Sequence, residues 1–441
     1  MRIRAKLVKI RVIAGVISVG EVDCRRWQAT IQEKNNKPDN HLMESEMMKK
    51  FILTVAMLAA SMTAHAADTV KIGMLQGFTG PTESLVAPMA LGGELAIKEV
   101  SDSGQFLGGT KVVSVRGDST CIDAAAATAA AERLITSDGV AAINGATCSG
   151  ATTAVLNNVA IPNGIVMISP SATSPALSTI EDNGLFFRTA PSDARQGQVL
   201  ADVIKSRGYN TVAVTYTNND YGKGLADSFK DAFVAAGGKV TIVAAHEDGK
   251  GDYSAEVGAL SAGGGDLLVV AGYLDQGGKG IIRAALDTGA FDKFVLPDGM
   301  VGDSLAEAFG TSIEGSFGTV PGTDSPGAKM MGEISKGKGF NGTDPYVPEC
   351  YDASALILLA MQSAGSTDSA KFKDHVMRVA NAPGKKIYPG ELGKALKILA
   401  AGGEIDYVGG TAVELVGPGE SAGAFREVEI KGGKFTTVKY H

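Results

Sequence analysis

From residue 70 onward, short runs of consecutive apolar residues alternate with longer stretches in which Ala, Leu, Ile and Val recur at helical spacing. The short runs read as buried strands, and the longer amphipathic stretches as the helices that connect and cover them. Residues 70–75, 112–116, 140–144 and 165–169 supply the strands of a first unit; 87–101, 123–135 and 149–159 supply its helices, the second capped by Asp123 at its start. This unit ends near Phe186-Phe187-Arg188-Thr189-Ala190-Pro191. A second unit repeats the alternation, with strands at 211–216, 240–245, 267–272, 294–297 and 317–320 and helices at 193–207, 221–236, 253–261, 278–288 and 304–309. Two copies of one alternation predict an α/β chain of two Rossmann-like lobes, each a parallel sheet flanked by helices. Three helical stretches, near 326–335, 348–363 and 369–381, follow without strands between them and are expected to pack back on the existing sheets. The tail, 411–440, reads as strands around a turn at Gly417-Pro418-Gly419.

Upstream of the first strand the pattern changes. Residues 47–66 have the three parts of a secretory signal peptide: Lys49 and Lys50, an apolar run from Phe51 to Ala60, and the small-x-small site Ala64-His65-Ala66. The apolar run is well short of the ~20 residues a membrane-spanning helix needs, so cleavage after Ala66 is expected rather than anchorage. An export signal is read at an N-terminus. Residues 1–46 are therefore expected to be untranslated or disordered, with Met47 or Met48 as the start.

Maturation changes composition. It removes nine basic and six acidic residues before Met47, together with Lys49 and Lys50, and so takes the formal charge from −7 to −12. An acidic chain without basic clusters is a poor partner for nucleic acid or anionic membranes. Trp27, the single Trp, leaves with the extension, as does Cys24. Of the remaining Cys121, Cys148 and Cys350, the first two each follow a predicted strand, and the two strands are expected to lie side by side. Cys121 and Cys148 are therefore expected to pair in an oxidising compartment, with two free buried thiols as the alternative. The signal peptide has no lipobox, which points to a soluble product of a Gram-negative periplasm.

Ligands of open parallel sheets sit beyond the carboxyl ends of the strands. In the first unit the loops there are 76–81, 145–150 and 169–174, rich in small hydroxyl residues; in the second they are 217–222, 272–276 and 297–301, which hold Tyr221, Tyr273 and Asp298. Hydroxyls and helix-start amides suit an anion, and an acid among aromatics suits a cation. Together they describe a site for a zwitterion, although a single Ser or Thr in such a loop is as readily a helix cap. Other chemistry finds little support. His246, His375 and His441 have no neighbours at metal-ligand spacing, so no metal or cofactor is expected. Ser149 lacks the Gly-x-Ser-x-Gly elbow and a paired base, which argues against a hydrolase. Residues 272–280 imitate a phosphate loop but place Gly278 and Gly280 where Lys and Ser or Thr are required.

From residue 69 to the C-terminus the chain resembles the type I periplasmic binding proteins of ABC transporters, in the leucine/isoleucine/valine-binding branch. The resemblance rests on Ile72-Gly73 to Thr79-Gly80-Pro81, Cys148-Ser149, residues 168–177 (Ile-Ser-Pro-Ser-Ala-Thr-Ser-Pro-Ala-Leu), Phe187-Arg188-Thr189, residues 219–226, Gly272-Tyr273, and Pro345-Tyr346-Val347 before Tyr351. It implies a two-lobed clamp with three crossovers near residues 190, 321 and 420. The lobes are then 67–190 plus 321–420, and 191–320 plus 421–441. The resemblance also implies that Ser149, Ser171, Ala172 and Thr173 hold a ligand carboxylate, that Asp298 with Tyr221 and Tyr273 holds its ammonium, and that Cys121 and Cys148 match the family's disulfide. Tyr346 joins this candidate set.

Two departures concern the side-chain end of the ligand. Leu85 stands where the leucine binder closes an aromatic residue on its ligand, and Asp298 stands where that binder has Glu. Glu83 and Ser84 lie close by; Glu83 is either an added polar contact or an exposed loop carboxylate. The resemblance implies a monomeric protein that captures an amino acid, branched-chain or similarly apolar, and delivers it to a membrane ABC permease. The alternatives are an amide, urea-like or aromatic-acid ligand in the same clamp, or a ligand sensor.

Overall fold

The computed structural model describes residues 8–13, 16–21 and 69–441. Residues 47–66, read above as a signal peptide, lie outside these. Met1–Ala66 and Ala67–His441 are separate compact units. In the first, Val8–Ile13 pairs antiparallel with Val16–Glu21.

The second unit is built on two seven-stranded sheets. The first contains β1 (Val70–Gln76), β2 (Val112–Asp118), β3 (Ala142–Gly145), β4 (Met167–Ser169) and β5 (Phe186–Arg188), all parallel, in the order β2-β1-β3-β4-β5. The second contains β6 (Thr211–Thr217), β7 (Lys239–His246), β8 (Leu267–Ala271), β9 (Phe294–Leu296) and β10 (Phe317–Pro321), also parallel, in the equivalent order β7-β6-β8-β9-β10. Each sheet is completed by two late strands. Glu420–Ser421 joins β5 and pairs antiparallel with Leu415–Val416, while Phe425–Lys431 joins β10 antiparallel and pairs with Lys434–Tyr440. The fold is therefore two doubly wound α/β halves with the same strand order.

The continuous apolar runs are explained by burial on both faces. In β1, Ile72 and Met74 face one hydrophobic cluster and Leu75 the opposite one. In β8, Leu267, Val269 and Ala271 alternate in the same way with Leu268 and Val270. The five helices that position the cleft are α1 (Glu83–Ser103), α2 (Ser149–Val155), α3 (Asp193–Ser206), α4 (Asp220–Ala235) and α5 (Val347–Ala364). Ser192 caps α3 by accepting from the Ala194 amide, and Asn219 caps α4 by accepting from the Gly222 amide. A side chain at Gly222 would meet the Thr217 carbonyl oxygen at 2.2 Å, so the tight turn from β6 into α4 requires glycine. Asp123 caps Ala124–Glu132, as its sequence predicts.

The helices after residue 321 do pack back on the first sheet: α5 and Ser369–Ala380 share a cluster with Ile72, Met74 and Ile168. A further helix, Leu392–Ala400, and a small parallel ladder of Lys385–Ile387 with Ile405–Tyr407 were not legible in the periodicity. One expectation is corrected. β2 and β3 are not neighbours, because β1 lies between them. The disulfide between Cys121 and Cys148 nevertheless forms, with Cα atoms 5.2 Å apart. The loop after β2, with Thr120 and Cys121 at positive φ, crosses the end of β1, and a Cβ on Gly77 would lie 3.3 Å from the Cys121 Cβ.

Candidate ligand-binding cleft

Loops at the carboxyl ends of both sheets meet around one narrow cavity. Its first wall comes from Thr82, Leu85 and Met89 of the α1 region, Thr147, Cys148 and Ser149 between β3 and α2, and Ser171 after β4. Its second wall comes from Tyr221 at the start of α4, Tyr273 after β8, and Asp298 with Gly299 after β9. Tyr346, in the left-handed region at φ 64° immediately before α5, closes the ring. The open space is about 30 Å3, enough for a water or two.

The hydroxyl wall has unequal hydrogen-bonding capacity. Ser149 Oγ accepts from the Ser174 amide at 3.1 Å, which leaves its own O–H free to donate. Ser171 Oγ donates to the Thr147 carbonyl at 2.9 Å. The Ala172 amide is engaged with Ser169 Oγ at 2.9 Å. Thr173 Oγ1 is buried without a well-formed hydrogen bond. Arg188, only 1 % exposed, holds this loop from behind by donating to the carbonyls of Ala172 and Ser174, and pairs with Glu420. Gly145 leads the chain into the hydroxyl wall at φ 143°, and a Cβ there would meet the Leu75 carbonyl oxygen at 2.2 Å, so this approach also requires glycine.

The acidic wall is more elaborate than the sequence suggested. Tyr221 donates to Asp298 Oδ1 at 2.9 Å, and Tyr346 donates to Oδ2. The Gly299 amide donates to the Tyr221 oxygen at 3.2 Å. Tyr221 and Tyr273 stack with centroids 5.1 Å apart. Burial raises the Asp298 pKa, and the two tyrosine hydroxyls and the Gly299 amide oppose it. A second carboxylate lies within its electrostatic reach. Asp193, the first residue of α3, is fully buried, and neither of its oxygens makes a well-formed hydrogen bond. Burial first and the Asp298 charge second push its pKa well above the ordinary carboxylate range, while Thr173 and Arg188 pull it down.

Seven expected residues, Leu85, Ser149, Ser171, Tyr221, Tyr273, Asp298 and Tyr346, thus meet around the cavity. Ala172 and Thr173 are buried beside it, and Glu83 is exposed outside it. Thr82, Met89, Thr147, Gly299 and Asp193 were not among the expected residues. Thr82, Leu85 and Met89 have the spacing of one helical face, a signal that was available. Asp193 had none, because an acid at a helix start is explained by capping and the helix dipole alone. Of the three His among the described residues, His246 is buried, with its pKa lowered to about 4 by burial. Among the described residues no group of His, Cys, Asp and Glu could hold a metal ion, and no helix is long and apolar enough to cross a membrane.

Two doubly wound halves of equivalent strand order, with a narrow, mostly apolar cavity between their strand ends, have the architecture of a type I periplasmic binding protein. The chain belongs to the periplasmic binding protein family, whose profile matches residues 69–394. This is a family of binding proteins rather than enzymes. The chain is 31 % identical over 329 residues to Leu/Ile/Val-binding protein homolog 1 of Brucella abortus, covering 73 % of this chain and 86 % of that one. It is 28 % identical over 330 residues to the leucine-, isoleucine-, valine-, threonine- and alanine-binding protein of Pseudomonas aeruginosa, covering 74 % and 87 %. Among solved structures, a leucine binding protein from Thermotoga maritima has the same fold, with TM-score 0.69, 23 % identity and coverage of 84 % and 98 %. A solute binding protein of an ABC transporter from R. palustris in complex with benzoate does too, with TM-score 0.67, 18 % identity and coverage of 85 % and 96 %.

Proposed function

We propose that this chain is a periplasmic solute-binding protein that captures an amino acid with a branched-chain or similar apolar side chain and delivers it to an ABC permease. The observation that carries the reading is Asp298, buried under the hydroxyls of Tyr221 and Tyr346 and facing the free hydroxyl of Ser149 across a cavity with Leu85 and Met89 at one side. A carboxylate so placed suits an ammonium, Ser149 with the loop around Ser171 and Thr173 suits the ligand carboxylate, and the apolar residues suit an aliphatic side chain. Names of the relatives favour the same ligand class.

An aromatic acid, as bound by the R. palustris protein, is the second reading. The presence of two buried carboxylates, Asp193 and Asp298, argues against a ligand that brings only negative charge. The lobes are assigned to residues 67–190 plus 321–420 and 191–320 plus 421–441, with cleavage after Ala66 and a monomeric mature chain. Capture then proceeds by hinge closure, driven by the ligand's differential affinity for the closed form.

Thermal-shift screening against amino acids, amides and aromatic acids tests the reading. A true ligand at ~100 times its dissociation constant stabilises by about 2.7 kcal/mol. Asp298→Asn should weaken an amino acid by roughly 1.5 to 3 kcal/mol in calorimetry. Undiminished binding by that variant, or a response to benzoate-like acids alone, would reject the amino-acid assignment.

A further inference from the structure

The first turn of α1 belongs to the first half of the molecule in sequence but docks in the second. Leu85 is 7 % exposed, and it is the one residue of the first half in a hydrophobic cluster otherwise made by the second sheet and its helices, including Leu274, Leu296, Met300 and Leu305. Its neighbour Ser84 is fastened across the cleft. The Ser84 amide donates to Asp275 Oδ2 at 2.8 Å, and Ser84 Oγ donates to Asp275 Oδ1 at 2.8 Å. The Asp275 amide in turn donates to the Pro81 carbonyl at 2.9 Å. Ser304 and Lys279 complete the cluster, each within hydrogen-bond distance of Asp275 Oδ1 at 3.1 and 3.2 Å.

On the far side, the missing side chain of Gly302 makes room for Leu85. A Cβ there would lie 2.9 Å from Leu85 Cδ2 and 2.7 Å from Leu274 Cδ2. Ser84, Asp275 and Gly302 do not line the ligand cavity, whereas Leu85 does. The position of one cavity wall is therefore fixed by contacts that the ligand never touches.

We propose that Ser84 and Asp275 form a latch that sets the side-chain size the clamp accepts, by seating Leu85 against Gly302 only when the bound ligand permits full closure. This rests on the amino-acid reading above. A ligand whose side chain fits lets the latch form and gains its free energy. One too bulky to fit holds Leu85 off its seat, the polar bonds stay unmade, and its affinity lacks that increment. Ser84 and Asp275 act as positioning residues through Leu85.

The distinguishing measurement is the spread of affinities rather than any single one. Calorimetric titration of the protein with alanine, valine, leucine and phenylalanine should show one best-fitting side chain and weaker binding of bulkier ones. Ser84→Ala should raise the dissociation constant of the best-fitting ligand by roughly two- to tenfold, the range for a net hydrogen bond, and leave that of the bulkiest bound ligand unchanged, so that the ratio narrows. Asp275→Ala should narrow it at least as much, and Ser84→Thr, which keeps the hydroxyl, should preserve it. Equal weakening of all ligands, or no change in the ratio, overturns the latch as a size gate while leaving the amino-acid reading intact. Wild-type protein that binds no member of the series overturns that reading and the gate with it.

Discussion

Asp193 and Asp298 are two carboxylates in one dry region, both with raised pKa, for burial first and, at Asp193, for the neighbouring Asp298 charge as well. Two like charges cannot both form there cheaply, so ionisation of one carboxyl opposes that of the other, and an arriving ammonium favours ionisation of both. Binding is expected to release protons, and affinity to rise with pH through the range in which the empty pair titrates. Calorimetry in buffers of different ionisation enthalpy measures the release, and Asp193→Asn should diminish it. Glu349 offers a separate test that involves folding. It lies in the first turn of α5, 2 % exposed, with Oε2 unpartnered, and burial raises its pKa to about 8. A carboxyl whose folded pKa lies above its unfolded value stabilises fully below the unfolded value and loses that contribution as pH rises through the folded one. Stability in urea should therefore decline between about pH 4.5 and pH 8. Glu349→Gln should flatten the slope. Asp352, raised to about 6 by burial, adds to the decline in the same sense.

At the scale of elements, the Cys121–Cys148 disulfide connects two strand ends separated by β1 and closes a loop with a sequence separation of 27. On loop length alone, its removal should cost roughly 3 to 4 kcal/mol. The double variant Cys121→Ser, Cys148→Ser should show a lower thermal midpoint and weaker ligand binding, since Cys148 immediately precedes α2 and Ser149. Cys350, buried with its thiol pKa pushed up to about 12, should resist alkylation in the folded chain. Element type was legible in the sequence wherever burial on both faces enforced a continuous apolar run, as in β1 and β8. Strand order was not, because hydrogen-bonded neighbours are chosen by the crossover path rather than by local pattern. The cysteine pair was anticipated even though the strand adjacency used to reach it was wrong.

For the whole molecule, closure is the property that matters. The cavity between the halves is small, about 30 Å3, so the halves are expected to part to admit a ligand. The chain crosses between the sheets after Arg188, after Pro321 and between Ser421 and Phe425, the three places at which hinge rotation can be absorbed. Small-angle scattering should show a smaller radius of gyration with ligand than without it. Mature protein should also lack tryptophan emission, because Trp27 lies upstream of residue 67. Retained emission would show that the extension is made and kept.

Residue order alone determined the two α/β units, the export signature, the acidic balance and most cavity residues, because these follow from local periodicity, charge and the rule that ligands meet strand ends. Only the tertiary structure decided that Asp193 comes within electrostatic reach of Asp298, that β1 divides the cysteine-bearing strands, and that Ser84 bonds Asp275 outside the cavity lining. Each is a contact between segments far apart in sequence. Its partner is selected by packing and by the need to satisfy buried polar groups, neither of which leaves a local pattern.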